Sequence, residues 1–148
     1  MIVLAAVFLL PARPGGGDTD WKGRIILYSY GPARIQITAP DGSRAGADLK
    51  TGEYIEEIKG SGVRVEKAKG RSDGQTVLLE AAGQGVYRLD LAGTGTGRVV
   101  VDLEIVDAAG GVSRNHVLRR VKVGDLLRYA LDYNPAPGSL NRIEEVPD

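Results

Sequence analysis

Cysteine is missing from the 148 residues, so the chain has no disulfide framework and no thiolate metal site. A single histidine leaves transition-metal coordination within one chain without its usual ligands. The charge surplus of a nucleic-acid binder is missing too. Lys and Arg number 19 against 19 Asp and Glu, where a phosphate backbone calls for a basic excess or stripe. Nucleic acid is therefore not an expected partner. Helical patterning is also lacking, since no stretch of about a dozen residues holds a 3.6-residue period. No apolar run reaches the roughly 20 residues of a transmembrane helix.

Glycine and alternation are what the chain has in quantity. There are 21 glycines, about twice the average usage, and they punctuate runs of period two. In "ARIQITA", Ala33, Ile35 and Ile37 oppose Arg34, Gln36 and Thr38. Val63 and Val65 point inward from "GVRVEKAKG", and Val77 and Leu79 oppose Leu78 in "QTVLLEAA". Tyr87, Leu89 and Leu91 share one face; so do Val99, Val101, Leu103 and Ile105; so do Leu127, Tyr129, Leu131 and Tyr133. "GRIILYSY" reads as a first strand, "EYIEEI" as a weaker one, and "VSRNHVLRRVKV" as a late one. Gly31-Pro32, Asp41-Gly42, Gly110-Gly111 and Gly124-Asp125 are the turns between them. About seven to nine short strands at roughly ten-residue spacing predict an all-β fold, an antiparallel β-sandwich of Ig-like or jelly-roll-like kind. The length suits one domain, expected over residues 21–148.

The first residues are different. Residues 1–12 begin with an apolar run closed by Pro11, and residues 13–20 are a Pro/Gly linker. The run is too short to cross a bilayer but matches the apolar region of a signal peptide. A cleavage point would follow Ala12, with Leu10 a mediocre residue two before it, and no Lys or Arg follows Met1. The competing reading is a strand or anchor that is kept. Such a strand, apolar on both faces, must be covered on both, in its own core or in another subunit's sheet. Self-association through residues 2–10 is the partner this second reading implies.

Chemistry-bearing patterns were weighed in turn. "GTGTG" between two apolar runs has the composition of a phosphate cradle, but Gly93, Gly95 and Gly97 lack the G-x-G-x-x-G spacing. The β-branched "RVVVDLEIVD" that follows offers no helix N-terminus. A hairpin loop is expected there instead. His116 has Ser113 nearby, but three residues along a strand put them on opposite faces, and Asp125 is the nearest later carboxylate. Asp41, Ser43 and Asp48 share a Gly-rich loop that calcium could use. Ala45 and Gly52 break the EF-hand pattern there, so an Asp-Gly turn is the default and calcium stays open. Glu56-Glu57 and Glu144-Glu145 are adjacent and point opposite ways in a strand. Basic residues crowd two segments: Lys59, Arg64, Lys67, Lys69 and Arg71, and Arg114, Arg119, Arg120 and Lys122. In the second, Arg114, Arg120 and Lys122 share a parity with His116. The two clusters together could meet a polyanion such as an acidic glycan or a phospholipid surface, or be a solvated face that discourages edge pairing. No catalytic, cofactor-binding or metal-ligating residue is expected, and no cofactor.

Pro40-Asp41-Gly42, Gly85-Val86-Tyr87-Arg88-Leu89 and Gly93-Thr94-Gly95 carry a resemblance. Over roughly residues 24 to 133 the chain is similar to accessory β-sandwich modules of bacterial secreted proteins, of the prepeptidase C-terminal domain type. Such modules often place an aromatic after the glycines, where this chain has Arg98-Val99. The resemblance implies a non-catalytic role beside a secreted enzyme or surface structure. The expectation is a secreted or cell-envelope (periplasmic or cell-surface) module for binding, adhesion or spacing, meeting a protein or cell-surface partner. The alternative is a structural subunit of an extracellular filament assembled by N-terminal strand addition.

Overall fold

Alternation of apolar and polar side chains leaves each strand one dry face, and two such faces must meet. A computed structural model describes residues 21–66 and 74–147, and in it they do. Among the described residues there are eleven strands: β1 (Gly23–Tyr30), β2 (Ala33–Thr38), β3 (Arg44–Ala47), β4 (Tyr54–Glu56), β5 (Ser61–Glu66), β6 (Gly74–Ala82), β7 (Gly85–Gly93), β8 (Gly97–Val106), β9 (Val112–Val121), β10 (Leu126–Tyr133) and β11 (Ile143–Glu145). A five-stranded sheet runs β9-β8-β1-β6-β5 and a six-stranded sheet runs β11-β10-β7-β2-β3-β4. All pairings are antiparallel. The fold is an antiparallel β-sandwich. Its strand number exceeds the expected seven to nine because of two short pieces: β3 and β11 hold 4 and 3 residues, too few to show alternation, whereas the weaker strand expected in "EYIEEI" is present as β4. Among the described residues no helix is long and apolar enough to cross a membrane. The expectations for residues 1–12 and 13–20 lie outside the described residues.

The core is one cluster between the sheets. Register stacks it in rows: Leu79, Ile25 and Ile105 sit side by side on β6, β1 and β8, and Val77, Leu27 and Leu103 form the next row. Ile35, Ile37, Leu89, Leu91, Tyr129 and Leu131 supply the facing layer. Each fully buried aliphatic side chain contributes about 1.5–3 kcal/mol.

One expected connection is corrected. The Gly93–Gly97 tract is no hairpin loop, because β7 and β8 belong to different sheets. Both strands carry an apolar face toward the core, so the chain must climb from one layer to the other. The glycines allow the steep path. A Cβ on Gly93 would sit 2.1 Å from the Lys122 carbonyl oxygen, and Cβ atoms on Gly95 and Gly97 would press on Pro32. Asp41-Gly42 and Gly110-Gly111 do close hairpins, β2–β3 and β8–β9, with Gly42 donating to Ala39 and Asp107 to Gly111.

Residues 134–143 close one side of the sandwich through polar bonds. Asn115 on β9 points inward, donates to the Asn141 carbonyl and accepts from the Ile143 N–H, each at 3.0 Å. Asn141 exchanges bonds with the Asn134 backbone in turn. The Asp107 carboxylate accepts backbone N–H groups from Ala109, Gly111 and Gly138, which hold it below the usual carboxylate range.

Tyr133 ends β10 fully buried, donating to the Val106 carbonyl at 2.7 Å and meeting Tyr87 edge-on at 5.9 Å. Burial, then the Tyr87 and Asp107 charges, push its phenol up to about 12 from an ordinary 10.0. A folded-state value raised above the unfolded one adds stability that is complete below about 10 and is lost as pH climbs toward 12. Denaturant melts at stepped alkaline pH will show the wild-type protein weakening across that window. Tyr133→Phe will be less stable at neutral pH, its Val106 carbonyl lacking a donor, and will weaken less across the window.

Candidate functional site

β1 occupies the middle of the five-stranded sheet, and its outward residues Arg24, Ile26, Tyr28 and Tyr30 are only partly buried or exposed. The run "GRIILYSY" is nearly continuous in apolar residues, the pattern of a strand covered on both faces. Yet nothing in the chain's described residues forms a third layer over it. Register places Leu78 beside Ile26, Thr76 beside Tyr28 and Gly74 beside Tyr30 on one flank. On the other flank stand Glu104, Asp102 and Val100. Val100 in turn lies opposite Leu118 of β9. An apolar band of Ile26, Leu78, Tyr28, Tyr30, Val100 and Leu118 therefore crosses a face that an ordinary sandwich gives to water.

Missing side chains shape this face. Gly74 lies beneath Tyr30, and a Cβ there would come within 2.7 Å of the ring. Gly62 leaves open space beside Leu78. The result is a depression of about 490 Å³ over β1, β6 and β5, bordered by Arg24, Arg64, Glu56 and Glu66. A second depression of about 380 Å³ lies over β1, β8 and β9, lined by Tyr28, Asp102, Glu104, Arg114 and His116 among others. Tyr28 belongs to both and is the ridge between them.

His116 is on this face, and Ser113 is turned the other way, where its hydroxyl accepts from the Asn141 N–H. The partner of His116 is instead Asp102, directly opposite on β8, at 2.5 Å from Nδ1. Their side chains are 60% and 50% exposed, too open to exclude water from a reaction. Arg114 likewise pairs across the strands with Glu104 at 3.4 Å.

The two basic clusters do not merge. Arg64 stands on β5 and Arg114 and Arg120 on β9, at opposite edges of the same sheet. Lys67, Lys69 and Arg71 lie outside the described residues, and Lys59 sits exposed before β5. Arg119 has the inward parity of β9 and reaches the Tyr129 hydroxyl at 3.4 Å and Glu145 at 2.8 Å. Arg98 and Arg120 are directly opposite each other on the outer face. Both are exposed, and among the described residues neither has an acidic partner.

The other candidates resolve into structural roles. Asp41 accepts from the Ser43 N–H and hydroxyl, and Asp48 from the Lys50 and Thr51 N–H groups, so each carboxylate is lowered by its own turn. The cation beside Asp48 is Arg44, at 3.3 Å, which also grips Glu57 at 2.9 Å. Among the described residues no cluster of three or more His, Asp or Glu is placed to hold a metal ion. Glu56 accepts the Val63 N–H at 2.7 Å, capping the free edge of β5, while Glu57 faces Arg44. The Gly93 and Thr94 N–H groups are donated to the Asp125 and Pro32 carbonyls, so the tract is no phosphate cradle. On the outer face of the six-stranded sheet, the buried Asp90 carboxylate sits between Arg88 at 3.0 Å and Arg128 at 3.6 Å.

No protein-family model, no curated protein and no solved structure matches the chain.

Proposed function

We propose that this domain is a non-catalytic binding module of the cell envelope or the secreted space, and that its ligand lies across the outer face of the five-stranded sheet. The observation that carries this reading is the apolar band through Tyr28 and Tyr30 on a central strand that no layer covers among the described residues. Contiguous exposed apolar surface rimmed by charge marks interaction sites. Aromatic side chains anchor such sites because they bury much area at low entropic cost. The envelope location rests on the apolar residues before Pro11 and on the likeness to accessory modules of secreted proteins.

Three measurements test the proposal. N-terminal sequencing of native material will find the chain starting after residue 12; a retained Met1 counts against export by cleavage. On an array of extracellular polysaccharides and matrix proteins, Tyr28→Ala/Tyr30→Ala will lose the wild-type signals. Arg88→Ala on the opposite sheet will keep them. Signals that survive the tyrosine pair and fail with Arg88→Ala would move the site to the other face. Assembly that needs residues 2–10, seen by size exclusion of the full chain against one starting at Trp21, would favour the filament subunit.

A further inference from the structure

We infer that the ligand of this face is an anionic polysaccharide bearing uronic-acid carboxylates, held by Arg98 and Arg120 and stacked on Tyr30; this rests on the binding-module reading above. Arg98 and Arg120 are a directly opposed cross-strand pair of like charge, an arrangement that destabilises a sheet. Elsewhere on the β8–β9 outer face Arg114 is paired with Glu104, and His116 lies next to Asp102. Among the described residues of these two strands, the Arg98–Arg120 pair lacks an acidic counter-charge. Two arginines directly opposite each other on adjacent strands can share one planar anion, and a carboxylate fits the guanidinium fork of either.

The neighbouring row fits the same ligand. Two residues along β8 and β9, roughly 7 Å away at the rise of a strand, lie Val100 and Leu118, with Tyr30 beside Val100. The Tyr30 ring packs on Gly74 and remains 45% exposed. A ring backed by the sheet offers a platform for the apolar face of a pyranose. Tyr28 and the larger depression follow, where Thr76, Arg64 and Glu66 supply donors and acceptors for hydroxyl groups.

Other polyanions fit less well. Asp102 and Glu104 stand in the middle of the face next to His116 and Arg114, so one arginine pair is the uncompensated charge there, too little for the dense phosphates of a nucleic acid or an anionic bilayer. A chain of hydroxyl groups with widely spaced carboxylates uses those same acceptors. One anion site beside aromatic and acidic rows therefore selects a uronate-containing glycan.

The test is calorimetry of the full chain at about 0.15 M salt, where exposed charges more than about 8 Å apart are screened. The probes are polygalacturonate, the same polymer with its carboxylates reduced to alcohols, and phosphatidylglycerol vesicles. Polygalacturonate is expected to bind about tenfold or more tightly than the reduced polymer, the scale of a charge-assisted contact. Arg98→Gln/Arg120→Gln will bring both polymers to the weaker level, and Tyr30→Ala will weaken both. Arg120→Gln will also raise the melting temperature at low salt by relieving the repulsion; a fall would show that the arginine serves the fold, and overturns the inference.

Equal binding of the two polymers, with Tyr30 still required, overturns the uronate assignment and leaves the binding face standing. Arginine-dependent binding to vesicles without binding to either polymer overturns it in favour of a lipid surface. Binding to none of the three probes overturns it as well, and the tyrosine-dependent array signals then decide separately whether the face binds anything.

Discussion

Gly23→Ala is expected to cost about 3 kcal/mol or more and to lower the unfolding midpoint in urea without changing its slope. The added methyl would stand 2.0 Å from the Tyr133 hydroxyl and 2.1 Å from the Val106 carbonyl oxygen, and the second of these is backbone. Neither can yield cheaply. Tyr133 is fully buried and fixed by its bond to that same carbonyl, so a shift breaks the bond and opens the β1–β8 contact together. The double variant Gly23→Ala/Tyr133→Phe will recover only part of the loss, because removing the hydroxyl leaves the carbonyl clash in place. Full recovery, or a single-variant loss under about 1 kcal/mol, would mean that the start of β1 accommodates a side chain.

Leu103→Ala is expected to cost about 2–5 kcal/mol, the transfer of the lost atoms plus an unfilled cavity. Leu103 is 2% exposed and sits in register between Leu27 on β1 and Asn115 on β9. Neither neighbour can collapse onto the space. Leu27 is held in a central strand, and both polar atoms of the Asn115 amide are engaged with residues 141 and 143. Equilibrium denaturation measures the loss directly. A cost below about 1 kcal/mol would show that the Asn115 network moves inward, contrary to its role as a fixed wall.

These effects trace to features the sequence shows unequally. The inward sets of β2, β7, β8 and β10 are legible, because alternation assigns faces residue by residue. Which strands share a sheet is not. "GVYRLDLAGTGTGRVVVDLEI" has the look of a hairpin, since a glycine tract between two apolar strands suits either a turn within one sheet or a climb between two. The difference lies in Pro32 and Lys122, far along the chain, which the glycines pack against.

The His116–Asp102 pairing was hidden for a milder reason. Once Gly110-Gly111 closes a hairpin that sets Val112 opposite Val106, every later pair on β8 and β9 follows, including Arg120 opposite Arg98. The turn is legible in the sequence, and the pairs follow from its register. The apolar band had a signal as well, in the failure of "GRIILYSY" to alternate. The inward Asn115 is harder to find, because its justification is Asn141, on a segment without alternation of its own.

β1 is the first described strand to be synthesised, yet its two neighbours are β6 and β8, which pair Ile25 with Leu79 and with Ile105. As the chain leaves the ribosome, the middle of one sheet must wait for four intervening strands before its first partner, β6, and for a further one, β7, before its second, β8. Contacts this distant along the chain slow folding toward the millisecond-to-second range of all-β proteins. During that interval Ile25, Leu27 and the tyrosines of β1 stay in reach of chaperones. On the export route proposed above, this delay would keep the chain threadable until β6 and β8 have been made.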